Sequence, residues 1–334
     1  MALTARRTWS GLITDLLTGH DLTPDDAAWA MEGVVAGSAT SAQVAGFLVA
    51  LRAKGETPAE IAGFASVLRA AAVPVRLGGP LVDIVGTGGD RTGAVNISTM
   101  ASLVVAATGS TVVKHGGRAA SSATPGSADL VEALGVPLDL SPLESVQRAG
   151  IAFLHAPVYN PALLHVGAVR RELAVPTAFN VLGPLINPAD PRHGLIGVAD
   201  ERMLPVVASV LASRDCSVLV VRGSDGLDKL TTTGPSRVLV VRDGAVTSTV
   251  FDPRSVGLAP CRASDLRAAD PVTVVRRLLA GERGAVRDVV LLNAAAALST
   301  LPGRPSLAGC LEDSAAAIDS GAAAATLDRW VGLA

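Results

Sequence analysis

The sequence predicts an α/β protein: a small all-helical N-terminal domain, then a large domain with a mostly parallel central sheet flanked by helices. Three observations carry that expectation. Residues 1–75 hold helix-start signals and helically spaced apolar residues throughout. From Leu81 onward, short apolar runs alternate with helical stretches, the pattern of a parallel sheet covered on both faces. The first of those runs ends in a glycine-rich turn, and ligands in such sheets bind outside the carboxyl ends of the strands.

In the helical unit, Thr23-Pro24-Asp25-Asp26 supplies a cap, a proline at the first helical position and acid in the first turn. Thr57-Pro58-Ala59-Glu60 repeats the device and completes a capping box. Val44, Phe47, Leu48 and Leu51 follow helical spacing, and Gly55 is the stop. Such a unit has a second apolar face to bury, and the pattern fits a core within the chain as well as an interface with a twin. Strands are read at Val82–Val85, Thr111–Val113, Ile151–Leu154, Leu195–Val198, Val218–Val221 and Val238–Val241. Helices are read at Thr99–Ala107, Ser127–Leu134, Pro161–Leu173, Met203–Ala212, Pro271–Ala280, Val286–Thr300 and Ser314–Arg329. The helical segment at about 161–190 is expected to complete the first domain, with 76–334 forming the α/β domain.

Composition narrows the function. The 334 residues are 17% charged and 49% hydrophobic with a net charge of −2, which leaves no electrostatic footprint for nucleic acid. No apolar run approaches the roughly 18–20 residues of a membrane span. Thr14 and Asp15 interrupt any signal-peptide core, so a cytoplasmic protein is expected. Cys216, Cys261 and Cys310 stand far apart, which argues against a disulfide framework or a metal cluster.

Chemistry concentrates in residues 83–118. Gly86-Thr87-Gly88-Gly89-Asp90 breaks the first strand sharply, and its glycines allow close backbone approach to an anion. Asn96 and Ser98 stand where the next helix begins, a position suited to an anionic group. Lys114 and Arg118 add positive charge at the same end of the sheet. Together these three loops read as a phosphate site. No Gly-Lys-Ser/Thr makes it a P-loop, and the Gly-x-Gly-x-x-Gly spacing of dinucleotide folds is absent.

The ordered motifs Gly-Thr-Gly-Gly-Asp, Asn96-Ile97-Ser98-Thr99, Lys114-His115-Gly116-Gly117-Arg118 and Gly126-Ser127-Ala128-Asp129 resemble the anthranilate phosphoribosyltransferase family of tryptophan synthesis. Val169-Arg170-Arg171-Glu172-Leu173, Phe179 to Pro188 and Asp225-Gly226-Leu227-Asp228 extend the resemblance along the chain. It implies transfer of ribose 5-phosphate from phosphoribosyl pyrophosphate (PRPP) to an aromatic amine, with Mg2+ as cofactor and release of pyrophosphate. It also favours a homodimer through the N-terminal helices.

Carried over by position, the PRPP side comprises Gly86, Thr87, Gly88, Gly89, Asp90, Asn96, Ser98, Thr99, Lys114 and Ser127. Ser98 and Asp228 are the implied magnesium ligands. The implied acceptor side comprises His115, Gly117, Tyr159, Asn160, Arg170, Gly183 and Pro184, with the planar Arg170 fork suited to a carboxylate. Read without the resemblance, Arg170 is equally a surface charge, Asp228 a turn cap, His115 a core histidine and Tyr159 packing.

Four departures stand out. Gly117 replaces the family's Asn, Asn160 its His, and Lys229 the second of two adjacent magnesium carboxylates; the loop Ser121–Ser127 is one residue longer. The donor motifs are intact while the acceptor side has changed. The alternatives are therefore a paralogue that uses PRPP with another aromatic or heterocyclic amine, or a catalytically impaired PRPP-binding protein. Asp225 is a candidate to take over the missing metal contact.

Overall fold

A computed structural model of the chain describes residues 7–118 and 125–334. Four helices open it: α1 (Trp9–Leu17), α2 (Pro24–Val35), α3 (Ser41–Lys54) and α4 (Pro58–Ala70). Thr23 and Thr57 cap α2 and α4 as their sequences demand, and Gly55 ends α3 at φ 96°. Trp9, Trp29, Phe47 and Phe64 form a chain of tilted and edge-on rings through this bundle.

The sheet follows, with β1 (Leu81–Gly86), β2 (Thr111–Gly116), β3 (Ile151–His155), β4 (His193–Gly197), β5 (Ser217–Gly223), β6 (Ser236–Arg242) and β7 (Ala245–Phe251). Between the strands run α5 (Ile97–Ala107), α6 (Ser127–Ala133), α7 (Pro142–Ala149), α8 (Ala156–Tyr159), α9 (Leu164–Leu173), α10 (Phe179–Leu182) and α11 (Met203–Ala212). After the sheet come α12 (Pro271–Leu279), α13 (Ala285–Leu298), α14 (Leu307–Asp319) and α15 (Ala322–Val331). The strand order is β3-β2-β1-β4-β5-β6-β7. The first five strands pair in parallel, and β6 and β7 return antiparallel.

Each face of the sheet has its own core. One joins α5, α13, α14 and α15 to the strands around Val82, Ile84 and Leu195. The other joins the N-terminal helices, α9, α10 and α11 to Val85, Ile196 and Val220. From β1 the chain moves outward through β2 and β3, then crosses back to β4 and β5. The order therefore reverses between β1 and β4, and such a switch point opens a crevice at the carboxyl ends of the strands. Gly86 and Gly197 face each other there in register.

Some elements differ from expectation for local reasons. Strand β7 has no apolar run because it is an edge strand with nearly every residue exposed. Helix α7 buries only Ser145 and Ala149, too few for a periodic signal, although Ser141 caps it and Pro142 opens it. The single helix expected over Ser314–Arg329 is two helices, because Gly321 at φ 79° turns the chain between them. Pro161–Leu163 is a turn of 3-10 helix before α9. Of the lengthened loop, residues 121–124 lie outside the described residues.

Glu60 fastens the bundle. Fully buried, it accepts from the Leu22 amide at 2.9 Å, the Thr57 amide at 2.8 Å and the Lys54 ammonium at 3.1 Å. It thus ties the approach to α2 and the end of α3 to the start of α4. Glu60→Ala leaves the Leu22 and Thr57 amides without their acceptor and Lys54 with the exposed Asp21 as its ion partner, so it is expected to cost about 2–5 kcal/mol of stability by urea unfolding. A loss below about 1 kcal/mol would match an exposed pair instead.

Candidate functional site

The turn after β1 is shaped by what lies against it. A Cβ on Gly86 would collide with the Asp228 carboxylate and the Lys229 ammonium, so only glycine fits. Gly88 and Gly89 follow at φ 70° and 75°, in the left-handed region. The Gly88 amide donates to Asp228 Oδ2 at 2.7 Å, which fastens the turn to the 225–229 segment. Thr87 joins β1 to β4: its amide donates to the Gly197 carbonyl at 2.9 Å, and its hydroxyl accepts from the Ala199 amide at 3.1 Å. Asp90 accepts from the Thr92 amide at 3.1 Å and closes the turn.

The next two loops meet the same crevice. Asn96 precedes α5, but its side chain does not cap the helix; it donates instead to the Pro125 carbonyl at 2.9 Å. Lys114, buried near the end of β2, donates to the Ile84 carbonyl at 2.7 Å and to Ser98 Oγ at 3.2 Å. Thr99 is buried and its hydroxyl has no partner among the described residues. Ser127 opens α6 with its hydroxyl tucked beneath Gly116, where a Cβ would collide with it.

Four buried charges underlie this surface: Asp83, Lys114, Asp228 and Lys229. Burial pushes the Asp83 carboxyl up to about 6, against the opposing pull of Lys114 and a 2.9 Å hydrogen bond from Asn187. Burial likewise pushes Lys114 down to about 8, with Asp83 holding it back. Burial also raises Asp228, while Lys229 and the Gly88 amide oppose the rise. Asp228 and Lys229 form a direct ion pair.

Next to Lys114 in β2, and so directed to the other face of the sheet, His115 organises a second set. Its Nδ1 donates to the Gly183 carbonyl at 3.2 Å, and its Nε2 accepts from Asn160 Nδ2 at 3.0 Å. A carbonyl only accepts and an amide nitrogen only donates, so the ring is neutral with its proton on Nδ1. The Asn160 Oδ1 atom is buried without a donor among the described residues, a lack that an incoming N–H would satisfy. Arg170 on α9 is half-buried, its guanidinium 5.7 Å from the centre of the Phe179 ring. It has no ion pair among the described residues, and burial lowers its pKa. Phe179 begins the helix that leads into Gly183, so Arg170 and His115 border the same stretch of chain.

Not every candidate joins these sets. Tyr159 packs with Leu81, Val113, Leu154 and Ala189, so it belongs to the core below the site. Pro184 is buried and lines a small cavity with Asp83, Asn187 and His193. Among the described residues, a Cβ on Gly117 would meet only Ala156, at 3.9 Å. Arg118 pairs with Asp129 and Glu132 at 2.9 Å and 2.8 Å, which directs it away from free anion binding. Asp225 accepts from Leu227, Thr231 and Thr233, so both its oxygens are engaged within its own loop. Among the described residues no cluster of three or more His, Cys, Asp or Glu could hold a metal by itself. Asp83 was absent from the sequence candidates, although an acid inside Leu81-Val82-Asp83-Ile84-Val85 is a signal in its own right.

A helical bundle feeding an α/β sheet, with a basic glycine-rich crevice at the switch point, defines a class that the sequence comparisons name. The glycosyl transferase family, helical bundle domain, matches residues 10–72, and the glycosyl transferase family, a/b domain, matches 78–324. The anthranilate phosphoribosyltransferase of Arthrobacter sp. (strain FB24) is 53% identical over 347 residues, covering 99% of this chain and 97% of the relative. That of Saccharopolyspora erythraea is 54% identical over 334 residues, covering 96% and 95%. The crystal structure of the Thermus thermophilus enzyme superposes with a TM-score of 0.90 at 40% identity, covering 96% of this chain and 98% of that one. The Saccharomyces cerevisiae enzyme in complex with PRPP and Mg superposes at 0.87 with 25% identity, covering 98% of each chain. The chain belongs to the anthranilate phosphoribosyltransferase family.

The His115 geometry carries a pH signature. Burial depresses its pKa from the ordinary 6.5 to about 4, so the folded protein binds fewer protons than the unfolded chain between those values. That contribution to stability is complete above 6.5 and is lost as pH falls toward 4. Nitrogen-15 NMR is expected to find the Nδ1–H tautomer with no titration from pH 8 to 5. An imidazolium at pH 6 would contradict the hydrogen-bond assignment.

Proposed function

We propose that the chain transfers the ribose 5-phosphate unit of PRPP to the amine of anthranilate, releasing pyrophosphate, in tryptophan biosynthesis. The observation that carries this reading is the crevice at the carboxyl ends of β1, β2 and β4. There a glycine turn, Ser98 and two buried lysines converge, in a chain 53% identical to a named enzyme of this activity along nearly its whole length.

The donor's diphosphate lies along Gly86, Thr87, Gly88, Gly89 and Asp90. Asn96, Ser98, Thr99 and Ser127 supply polar contacts, and Lys114 supplies a fixed charge. Donors set in place before reaction stabilise the charge that gathers on departing pyrophosphate at no cost of reorganisation. Ser98 would hold Mg2+ when it is bound, and the ion would supply charge neutralisation of the leaving group. Ser98 Oγ already accepts from Lys114 and keeps a second lone pair for such a contact. Asp228, the other magnesium candidate, is already paired with Lys229.

On the acceptor side, Arg170 grips the anthranilate carboxylate, and His115, Gly117, Asn160 and Gly183 frame the ring. The aromatic amine is neutral at pH 7, so the reaction needs aim and a stabilised leaving group more than a strong base. Residues 1–75 with the segment 161–190 form the helical domain, and 76–334 form the PRPP-binding domain; the packing of α9 on α2 and α3 supports that division. The protein acts in the cytoplasm as a homodimer through the N-terminal helices. Leu17, Val49 and Leu164 support the dimer, being exposed on α1, α3 and α9, where α3 packs against both α1 and α9. No helix among the described residues is long and apolar enough to cross a membrane.

The direct test supplies purified protein with PRPP, Mg2+ and anthranilate, following loss of anthranilate fluorescence and release of pyrophosphate together. Equal rates that require all three components are expected. PRPP binding without turnover would turn the reading toward another amine, which the open space at Gly117 would accommodate. For the same reason Gly117→Asn fits without strain and restores an amide. One recovered hydrogen bond predicts a gain of about 3- to 10-fold in kcat/KM for anthranilate. A loss would mean that the space at Gly117 already serves the acceptor.

A further inference from the structure

We propose that Lys229 is a resident cation of the diphosphate site: its ammonium holds the position on Asp228 that a divalent ion would otherwise take. The loaded site then carries one metal ion, borne on the diphosphate, in place of two. This rests on the donor-site reading above and refines it, because it removes Asp228 from the magnesium ligands.

The geometry carries the argument. Both Asp228 oxygens face internal donors, Oδ2 the Gly88 amide at 2.7 Å and Oδ1 the Lys229 ammonium. A metal ion approaching that carboxylate has to displace a buried cation already paired with it. Lys229 is only 8% exposed, and its ammonium reaches the space that a Cβ on Gly86 would occupy, at the root of the glycine turn. An ammonium has three donors. The bond to Asp228 uses one of them, and the others have no partner among the described residues. A buried donor without a partner is rare unless a ligand completes it.

The neighbours offer no second metal seat. Both Asp225 oxygens are engaged by Leu227, Thr231 and Thr233. Asp90 Oδ1 accepts from Thr92, and its Oδ2 faces the Asp228 amide at 3.4 Å. Lys114 supplies a second fixed charge near Ser98, so the crevice meets the diphosphate with two ammonium groups in place. A lysine acts on phosphate as a compact point charge and requires no ion from solution.

The test counts metal directly. Wild type, Lys229→Glu and Lys229→Arg are saturated with PRPP in Mn2+, and bound Mn2+ is measured by electron paramagnetic resonance. PRPP affinity is measured by calorimetry with and without divalent ions. The proposal predicts one Mn2+ per bound PRPP in wild type and in Lys229→Arg, and two in Lys229→Glu. Withdrawing metal is expected to weaken PRPP binding less than about 10-fold in wild type and more than about 100-fold in Lys229→Glu. Two Mn2+ per site in wild type, or one in Lys229→Glu, would overturn the proposal while leaving the donor site standing. Wild type that binds no PRPP under any condition would overturn both.

Discussion

Four buried charges at the switch point, the Asp228–Lys229 ion pair and the neighbouring Asp83 and Lys114, set the terms for everything around them. Taking an ion out of water costs several kcal/mol, which is recovered only when partners and hydrogen bonds are held in place. The sheet does that holding. Asp83 sits inside β1, where Asn187 donates to it at 2.9 Å and to the Val113 carbonyl at the same distance. Lys114 spans from β2 to the Ile84 carbonyl. Asp228 is fastened through the Gly88 amide to the turn beyond β1. The charges thus stiffen the strand ends that carry them, and leave ammonium groups beneath a loop of glycine amides. That combination suits a phosphate group, and among the described residues no acidic cluster that could hold a metal by itself accompanies it.

The same region is coupled to the helical bundle through Asp190. Its carboxylate meets Arg69 of α4 at 2.8 Å, Arg214 beyond α11 at 2.6 Å and Arg192 ahead of β4 at 3.1 Å. Burial alone would raise the Asp190 carboxyl, but the three guanidinium groups hold it below its usual range. The stretch from Phe179 to Asp190 therefore has one end on the bundle and sheet through these arginines. Its middle is held to β2 by the hydrogen bond between the Gly183 carbonyl and His115.

Much of this was legible in the sequence because local chemistry decided it. Capping residues fixed α2 and α4, and the glycine turn announced the end of β1. The mostly parallel sheet followed from the alternation of strands and helices, whereas the strand order that makes the switch point came only from the fold. What escaped depended on partners far along the chain. Asp83 passed as one more residue of the first strand, and its Asn187 partner and the Lys114 charge are visible only in the fold. Tyr159 looked like an acceptor residue by position, but its ring turns into the core. Asp225 looked free to bind metal, but the Thr231 and Thr233 hydroxyls occupy it. Strand β7 escaped because an edge strand needs no apolar pattern.

The measurement that bears most directly on this account is a crystal structure of the chain with PRPP bound. The account predicts diphosphate density across Gly86–Asp90, within hydrogen-bond reach of both the Lys114 and Lys229 ammonium groups. Diphosphate density elsewhere on the sheet, or an Asp228–Lys229 pair parted by a metal ion, would contradict it.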